Sequence, residues 1–157
     1  METVIRPLHR AEYPVLAEFL YHAIFIPEGI DPPPVSIIQA PELQVYLEDF
    51  GRPDDHAFAA ESAGRIIGTV WVRIMQDYGN IDAETPSFAV SLLPEYRGRG
   101  IGTAMMACML RHLRAAGYRR ASLAVQKANY AVRMYRALGF RTVRETDEEY
   151  IMVIDLA

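Results

Sequence analysis

The sequence predicts a mixed α/β domain, a single sheet with helices packed on it. Three observations carry that prediction. Apolar and β-branched runs of strand length recur along the chain: "TVIRPL", "HAFAAE", "RIIGTVWVRIM", "SFAVSLL", "ASLAV", "FRTVRE" and "YIMVIDL". Between them lie stretches whose apolar residues return every three or four positions, as on one face of a helix. A strand–helix–strand–helix succession then occupies residues 87–138.

Taken in order, "TVIRPL" (3–8) opens as a strand, and "RAEYPVLAEFLYHAIF" follows with Val15, Leu16, Phe19, Leu20, Ala23 and Ile24 on one helical face. Pro14 is tolerable near the start of that helix, where its missing N–H would have no partner. "PEGIDPPPV" (27–35) cannot continue a helix and reads as a stiff loop, while "PELQVYLEDFG" (41–51) has the proline start and glycine end of a short one. Strands 56–61 and 65–75 flank the small turn "SAG" as a hairpin, "DYGNIDAETP" is a polar loop, and "SFAVSLL" (87–93) is apolar enough to be central. From Gly100, Ile101, Ala104, Met105, Cys108, Met109, Leu113 and Ala116 mark a helix face closed by Gly117. Strand 121–125, helix 129–138 stopped by Gly139, and the two final strands complete the sheet. No linker interrupts this order, so residues 1–157 read as one domain.

Composition narrows the function. Half the residues are hydrophobic (51%) and 23% are charged, which excludes a disordered chain. The net charge of -4 argues against a general nucleic-acid binder. No apolar run is long enough to span a bilayer, and the N-terminus lacks a signal-peptide pattern, so a cytoplasmic protein is expected. The single cysteine, Cys108, cannot pair within the chain, and His9, His22, His56 and His112 show no metal spacing, so no metal is expected.

The chemistry concentrates at "PEYRGRGIGTAMM" (94–106). Glycines at 98, 100 and 102 clear side chains from a strand-to-helix turn, where a ligand can approach backbone N–H groups. The first N–H groups of a helix have no internal partners, and its dipole favours negative charge there. Arg97 and Arg99 add positive charge. Together these residues describe an anion site suited to phosphate or pyrophosphate. Neither the Gly-x-x-x-x-Gly-Lys loop nor the Gly-x-Gly-x-x-Gly fingerprint fits, since there is no lysine and position 103 is Thr.

The register that fits is Arg97-x-x-Gly100-x-Gly102. With "LLPEYRGRGIG" before the helix, and "LAVQKANYAVRMYRALGF" (123–140) about 30 residues later, the sequence resembles the GNAT superfamily of acetyl-coenzyme A-dependent N-acetyltransferases. The resemblance covers residues 56–156 and, in helix layout only, the first fifty. It implies a mixed, mostly antiparallel sheet of six or seven strands with helices on both faces. The cosubstrate would be acetyl-coenzyme A, its pyrophosphate on the backbone of Arg97, Gly98, Arg99, Gly100, Ile101, Gly102 and Thr103. The pantetheine arm would pair with the backbone of Leu92 and Leu93, and the Asn129 amide would bind it further along. Tyr135 would protonate the departing thiolate, with Tyr130 the poorer candidate.

The attacking amine must first lose a proton, and Asp82 and Glu84 ahead of the central strand are the carboxylates to consider, with Glu84 kept as a weak catalytic candidate. A backbone N–H near Leu92 would meet the developing charge on the thioester oxygen. The resemblance implies direct transfer to a primary amine, preferably of a small molecule, and a possible homodimer. A protein N-terminus or lysine is the alternative acceptor, and a non-catalytic acyl-coenzyme A sensor the alternative role. By the same resemblance, loop 27–35 is either a wall beside the acceptor or a mere spacer.

Overall fold

The computed structural model describes residues 2–157. Seven strands form one sheet: β1 (Thr3–Pro7), β2 (His56–Ser62), β3 (Arg65–Arg73), β4 (Ser87–Leu92), β5 (Arg120–Gln126), β6 (Arg141–Glu145) and β7 (Glu149–Asp155). Their spatial order is β1-β2-β3-β4-β5-β7-β6, and every neighbouring pair is antiparallel except β4 and β5. This is the mixed, mostly antiparallel sheet expected. The helices are α1 (Val15–Ala23), α2 (Pro41–Gln44), α3 (Ile101–Ala115) and α4 (Ala131–Leu138). No helix is long and apolar enough to cross a membrane, and among the described residues no three His, Cys, Asp or Glu come together to hold a metal ion.

Strand parity separates two faces of the sheet. A Cβ on Gly68 would strike the side chains of Leu92 and Met105, so Gly68 and its strand mates Val70 and Val72 face α3. Their cross-strand partners Leu92, Val90 and Phe88 share that face. Thr69, Trp71 and Arg73, with their partners Ser91, Ala89 and Ser87, therefore face α1 and α2. Met105, Met106, Met109 and Leu113 fill the α3 side, and Leu16, Phe19 and Trp71 the other; all are buried.

Two helices differ from the sequence reading. The first is expected from Arg10 but splits at Pro14 into a 3-10 turn (Arg10–Glu12) and α1, because proline cannot donate within a continuous helix. The helix expected over 41–51 stops at Gln44. Tertiary donors claim the carbonyls it would need: Trp71 Nε1 bonds to Tyr46 O at 3.1 Å and Arg73 Nη1 to Val45 O at 3.0 Å. Asp49 then turns left-handed at φ 52°. Trp71 is thus a core residue, and Cys108 is half-buried on α3.

Beneath α2, Arg73 and Asp55 form a buried ion pair, each side chain 3% exposed. Arg73 Nε and Nη2 meet the two Asp55 oxygens at 3.1 and 3.0 Å, and Asp55 Oδ2 also accepts the backbone N–H groups of Gly51 and Arg52. Every oxygen and most of the guanidinium are satisfied, the condition under which a buried pair holds.

Candidate active site

β4 and β5 share one paired position, Ser87 with Ser122, and carry no ladder beyond it. The loop between β3 and β4 closes the end where they meet: Ser87 Oγ donates to Asp77 Oδ2 at 2.7 Å and Ser122 Oγ to Gly79 O at 2.7 Å. Past that junction the two parallel strands are unpaired, which leaves a backbone edge of β4 open.

Which groups lie on that edge follows from alternation along the strand. Leu93 N–H donates to Ile67 O at 2.9 Å, toward β3, so the backbone groups of Val90 and Leu92 point the other way. Val90 joins the candidate edge, whereas Leu93, expected to pair with a pantetheine arm, has its N–H engaged within the sheet. Leu92 O accepts Arg97 Nε at 3.2 Å, and Arg97 Nη2 reaches His22 O at 3.2 Å, so Arg97 ties β4 to the end of α1.

The edge opens into a cleft of about 590 Å³. The glycine turn forms one rim. Gly98 and Gly100 have φ of 75° and 81°, a left-handed backbone that side chains resist, and Gly100 is the N-cap of α3. Gly102 is different: its φ is not positive, and an added Cβ would meet only Met134 Sδ at 3.7 Å. Packing does not demand glycine at 102, yet the residue lines the cleft, as expected where a ligand approaches the backbone. The first helical bond is Ala104 N–H to Gly100 O, which leaves the N–H groups of Ile101, Gly102 and Thr103 without helical partners.

The two arginines of the turn diverge. Arg97 lines the cleft, while the Arg99 guanidinium sits 5.4 Å from the Tyr96 ring centroid and borders a second cavity beside Thr3, Ser62 and Ile101. Gly98, Gly100, Gly102, Thr103, Asn129 and Tyr135 all reach the first cleft. Asn129 Oδ1 accepts the Ala131 N–H at 2.9 Å in an Asx turn that leads into α4, leaving its amide NH₂ for a ligand. Tyr135 is buried edge-on against Phe140, and burial pushes its phenol well above the usual tyrosine value, so it stays protonated throughout the working range. Tyr130 is 72% exposed at the rim.

Asp82 and Glu84 lie outside the cleft lining. Glu84 is exposed and gives its N–H to Asp82 at 2.9 Å. Asp82 pairs with Arg120, and the Glu84 N–H and Thr85 hydroxyl hold its carboxyl below the usual range, a poor setting for taking up a proton. The opposite wall comes from a stretch only partly foreseen: Tyr21, His22, Ile24, Phe25 and Ile26 at the end of α1, with Pro32 of the proline-rich loop. Tyr21 Oη donates to Pro33 O at 2.6 Å and fastens that loop to α1.

The sequence model of the acetyltransferase (GNAT) family matches residues 20–140. Among curated proteins, the mycothiol acetyltransferase of Saccharomonospora viridis is 38% identical over 101 residues, covering 61% of this chain and 33% of that protein. That of Thermobispora bispora is 38% identical over 85 residues, covering 53% and 29%. The chain thus spans about a third of the length of these curated relatives. Among solved structures, an N-acetyltransferase from Staphylococcus aureus Mu50 superposes with a TM-score of 0.73 at 16% identity over all of both chains. The PaiA N-acetyltransferase from Thermoplasma acidophilum, crystallised with coenzyme A, gives 0.72 at 19% identity over 99% of each.

Proposed function

Since the chain belongs to the acetyltransferase (GNAT) family, we propose that it transfers an acetyl group from acetyl-coenzyme A to a primary amine of a small molecule, by direct attack in a ternary complex. The observation that carries this is convergence on one cleft: the free N–H groups at the start of α3, the open edge of β4, the Asn129 amide and the Tyr135 phenol. The helix start and glycine turn suit the coenzyme's pyrophosphate, with Arg97 adding charge. The extended pantetheine arm, rich in amides, suits an open strand edge at Val90 and Leu92, with Asn129 bonding it further along. Mycothiol acetyltransferases and a spermidine/spermine N-acetyltransferase from Vibrio cholerae stand among the relatives and structural neighbours, and these names support a small-molecule acceptor.

The reaction is an acyl transfer. The amine nitrogen attacks the thioester carbonyl carbon, an N–C bond forms, and the carbonyl oxygen gathers charge that the Leu92 N–H would meet. The C–S bond then breaks and the sulfur takes a proton from Tyr135; the nitrogen gives up its surplus proton to solvent, and solvent returns one to the Tyr135 phenolate. Burial raises the Tyr135 phenol and keeps it protonated, so its proton is present when the thiolate departs.

The test has two readings. Acetyl-coenzyme A should raise the melting temperature, because a ligand that binds only the folded state stabilises it. Tyr135→Phe should then lower turnover on the order of a hundredfold while the coenzyme Kd stays within a factor of about two. A melting temperature unmoved by millimolar coenzyme refutes the reading, and unchanged turnover removes Tyr135 from the acid role.

A further inference from the structure

The attack needs a neutral amine, and an alkylammonium with a pKa near about 10.4 holds its proton at neutral pH. A group in the cleft must take that proton. No aspartate or glutamate lines it. Its ionisable side chains are Tyr21, Tyr130 and Tyr135, the Arg97 guanidinium and His22. A phenol or a guanidinium already carries its proton at neutral pH and accepts no second one. That leaves His22, an imidazole, the side-chain type whose charge changes near neutral pH.

The position of His22 suits the task. It stands in the last turn of α1, with its ring centroid 6.2 Å from that of Phe19, one turn earlier. Phe19 is buried in the core, so the imidazole leaves the helix on its sheet side, where α1 packs over β4. Arg97 donates from Nε to Leu92 O and from Nη2 to His22 O, both at 3.2 Å. One guanidinium therefore spans the gap between the open edge of β4 and His22. These contacts fix the residue by its backbone and leave its ring unused. Neither ring nitrogen bonds to another described residue, and neither is among the buried polar atoms that lack a partner, so both are reachable by solvent. His56 and His112 differ: they bond to each other at 3.0 Å, and His56 also to Tyr118 at 3.1 Å.

We infer that His22 is the general base of the transfer. This inference rests on the acetyl-transfer reading above. A ring nitrogen of His22 takes one proton from the acceptor's ammonium group, directly or across one water, which gives an imidazolium and a neutral amine. The freed lone pair attacks the thioester carbonyl carbon as described. After the amide leaves, the imidazolium gives its proton to solvent, and the turnover releases one proton in all.

The experiment follows thiol release from acetyl-coenzyme A against pH with 2-phenylethylamine, spermidine and Nα-acetyl-lysine, on the wild type, His22→Gln and His22→Ala. With the wild type, kcat/KM should level off above the range of about pH 5 to 8 in which an imidazole loses its charge, well short of the amine's own value of about 10.4. His22→Gln should lose on the order of a hundredfold at neutral pH. Its kcat/KM should then climb about tenfold per pH unit toward the amine's value, because only amine already neutral in solution reacts. Its coenzyme Kd should stay within a factor of about two, since Arg97 is held by the backbone carbonyl and not by the ring. Imidazole added to His22→Ala should restore part of the lost rate, and this carries the same test if the glutamine variant melts early. A His22→Gln profile with the wild-type shape overturns the inference even if the rate falls, as does His22→Ala that imidazole leaves unchanged; both leave acetyl transfer standing. A wild type that binds coenzyme but acetylates none of the three amines overturns this inference together with the enzymatic reading.

Discussion

The same face of the same sheet treats polar groups in opposite ways at its two ends. Under α2, Arg73 and Asp55 share two short bonds, and the remaining groups find Val45 O, Gly51 N–H and Arg52 N–H. Four residues earlier along β3, Thr69 is equally buried and has no partner, nor has Ser91 opposite it. In the loop after β3, Asp77 is satisfied at Oδ2 by Ser87 and Tyr46 and unpaired at Oδ1. Burial and backbone chemistry are alike across this distance, so they do not account for the gradient. Where polar groups are paired, removing one damages the fold; where they are not, the fold has nothing to lose.

Substitutions along this gradient can break or sharpen the contrast. The largest effect belongs to the paired end: Asp55→Ala strands the Arg73 guanidinium in the core and should cost about 3–5 kcal/mol, read by urea denaturation. At the half-paired position, burial pushes the Asp77 carboxyl above its ordinary value, against the Ser87 and Tyr46 hydroxyls that favour the ionised form. The folded chain then holds this proton at a pH where the unfolded chain has lost it. Its stabilising contribution is full below the unfolded value, about 3.9, and is lost as pH rises through the folded value. Asp77→Asn should remove that slope, so that the variant gains on the wild type as the pH of a urea denaturation series rises from 4 to 8. At the unpaired end, Thr69→Val keeps the shape and deletes the hydroxyl. It should shift stability by less than about 0.5 kcal/mol, or raise it. A large loss of stability in Thr69→Val would abolish the contrast.

Much of this architecture is legible in the residues. All seven strands announce themselves by composition, and the glycine turn by the left-handed backbone that Gly98 and Gly100 supply. The order of the motif residues places Gly102, Thr103, Asn129 and Tyr135 around one cleft. What escapes is anything decided by a distant partner. The helix after Pro41 ends early because Trp71 and Arg73, some thirty residues away in sequence, take its carbonyls. Arg97 and Arg99 look equivalent in sequence, yet one ties β4 to α1 and the other stacks on Tyr96. The period of two along 87–93 gives the alternation of Val90, Ser91 and Leu92 but not which edge lies open. That depends on where β4 and β5 part company, at Ser87 and Ser122.

The Tyr21–Pro33 bond has a consequence for the range of molecules admitted. Pro32, Pro33 and Pro34 stiffen the chain there, and the tyrosine fastens it to a helix that already belongs to the core. The wall therefore stands in place before any molecule arrives, and its ordering entropy is spent in folding rather than in binding. A fixed apolar wall acts as a sieve with one hard limit. It turns away bodies too large to fit, but it gives up only about 1–3 kcal/mol for each methylene that a smaller one lacks. Selection by such a wall sets a ceiling on the size of the bodies admitted and leaves the floor soft.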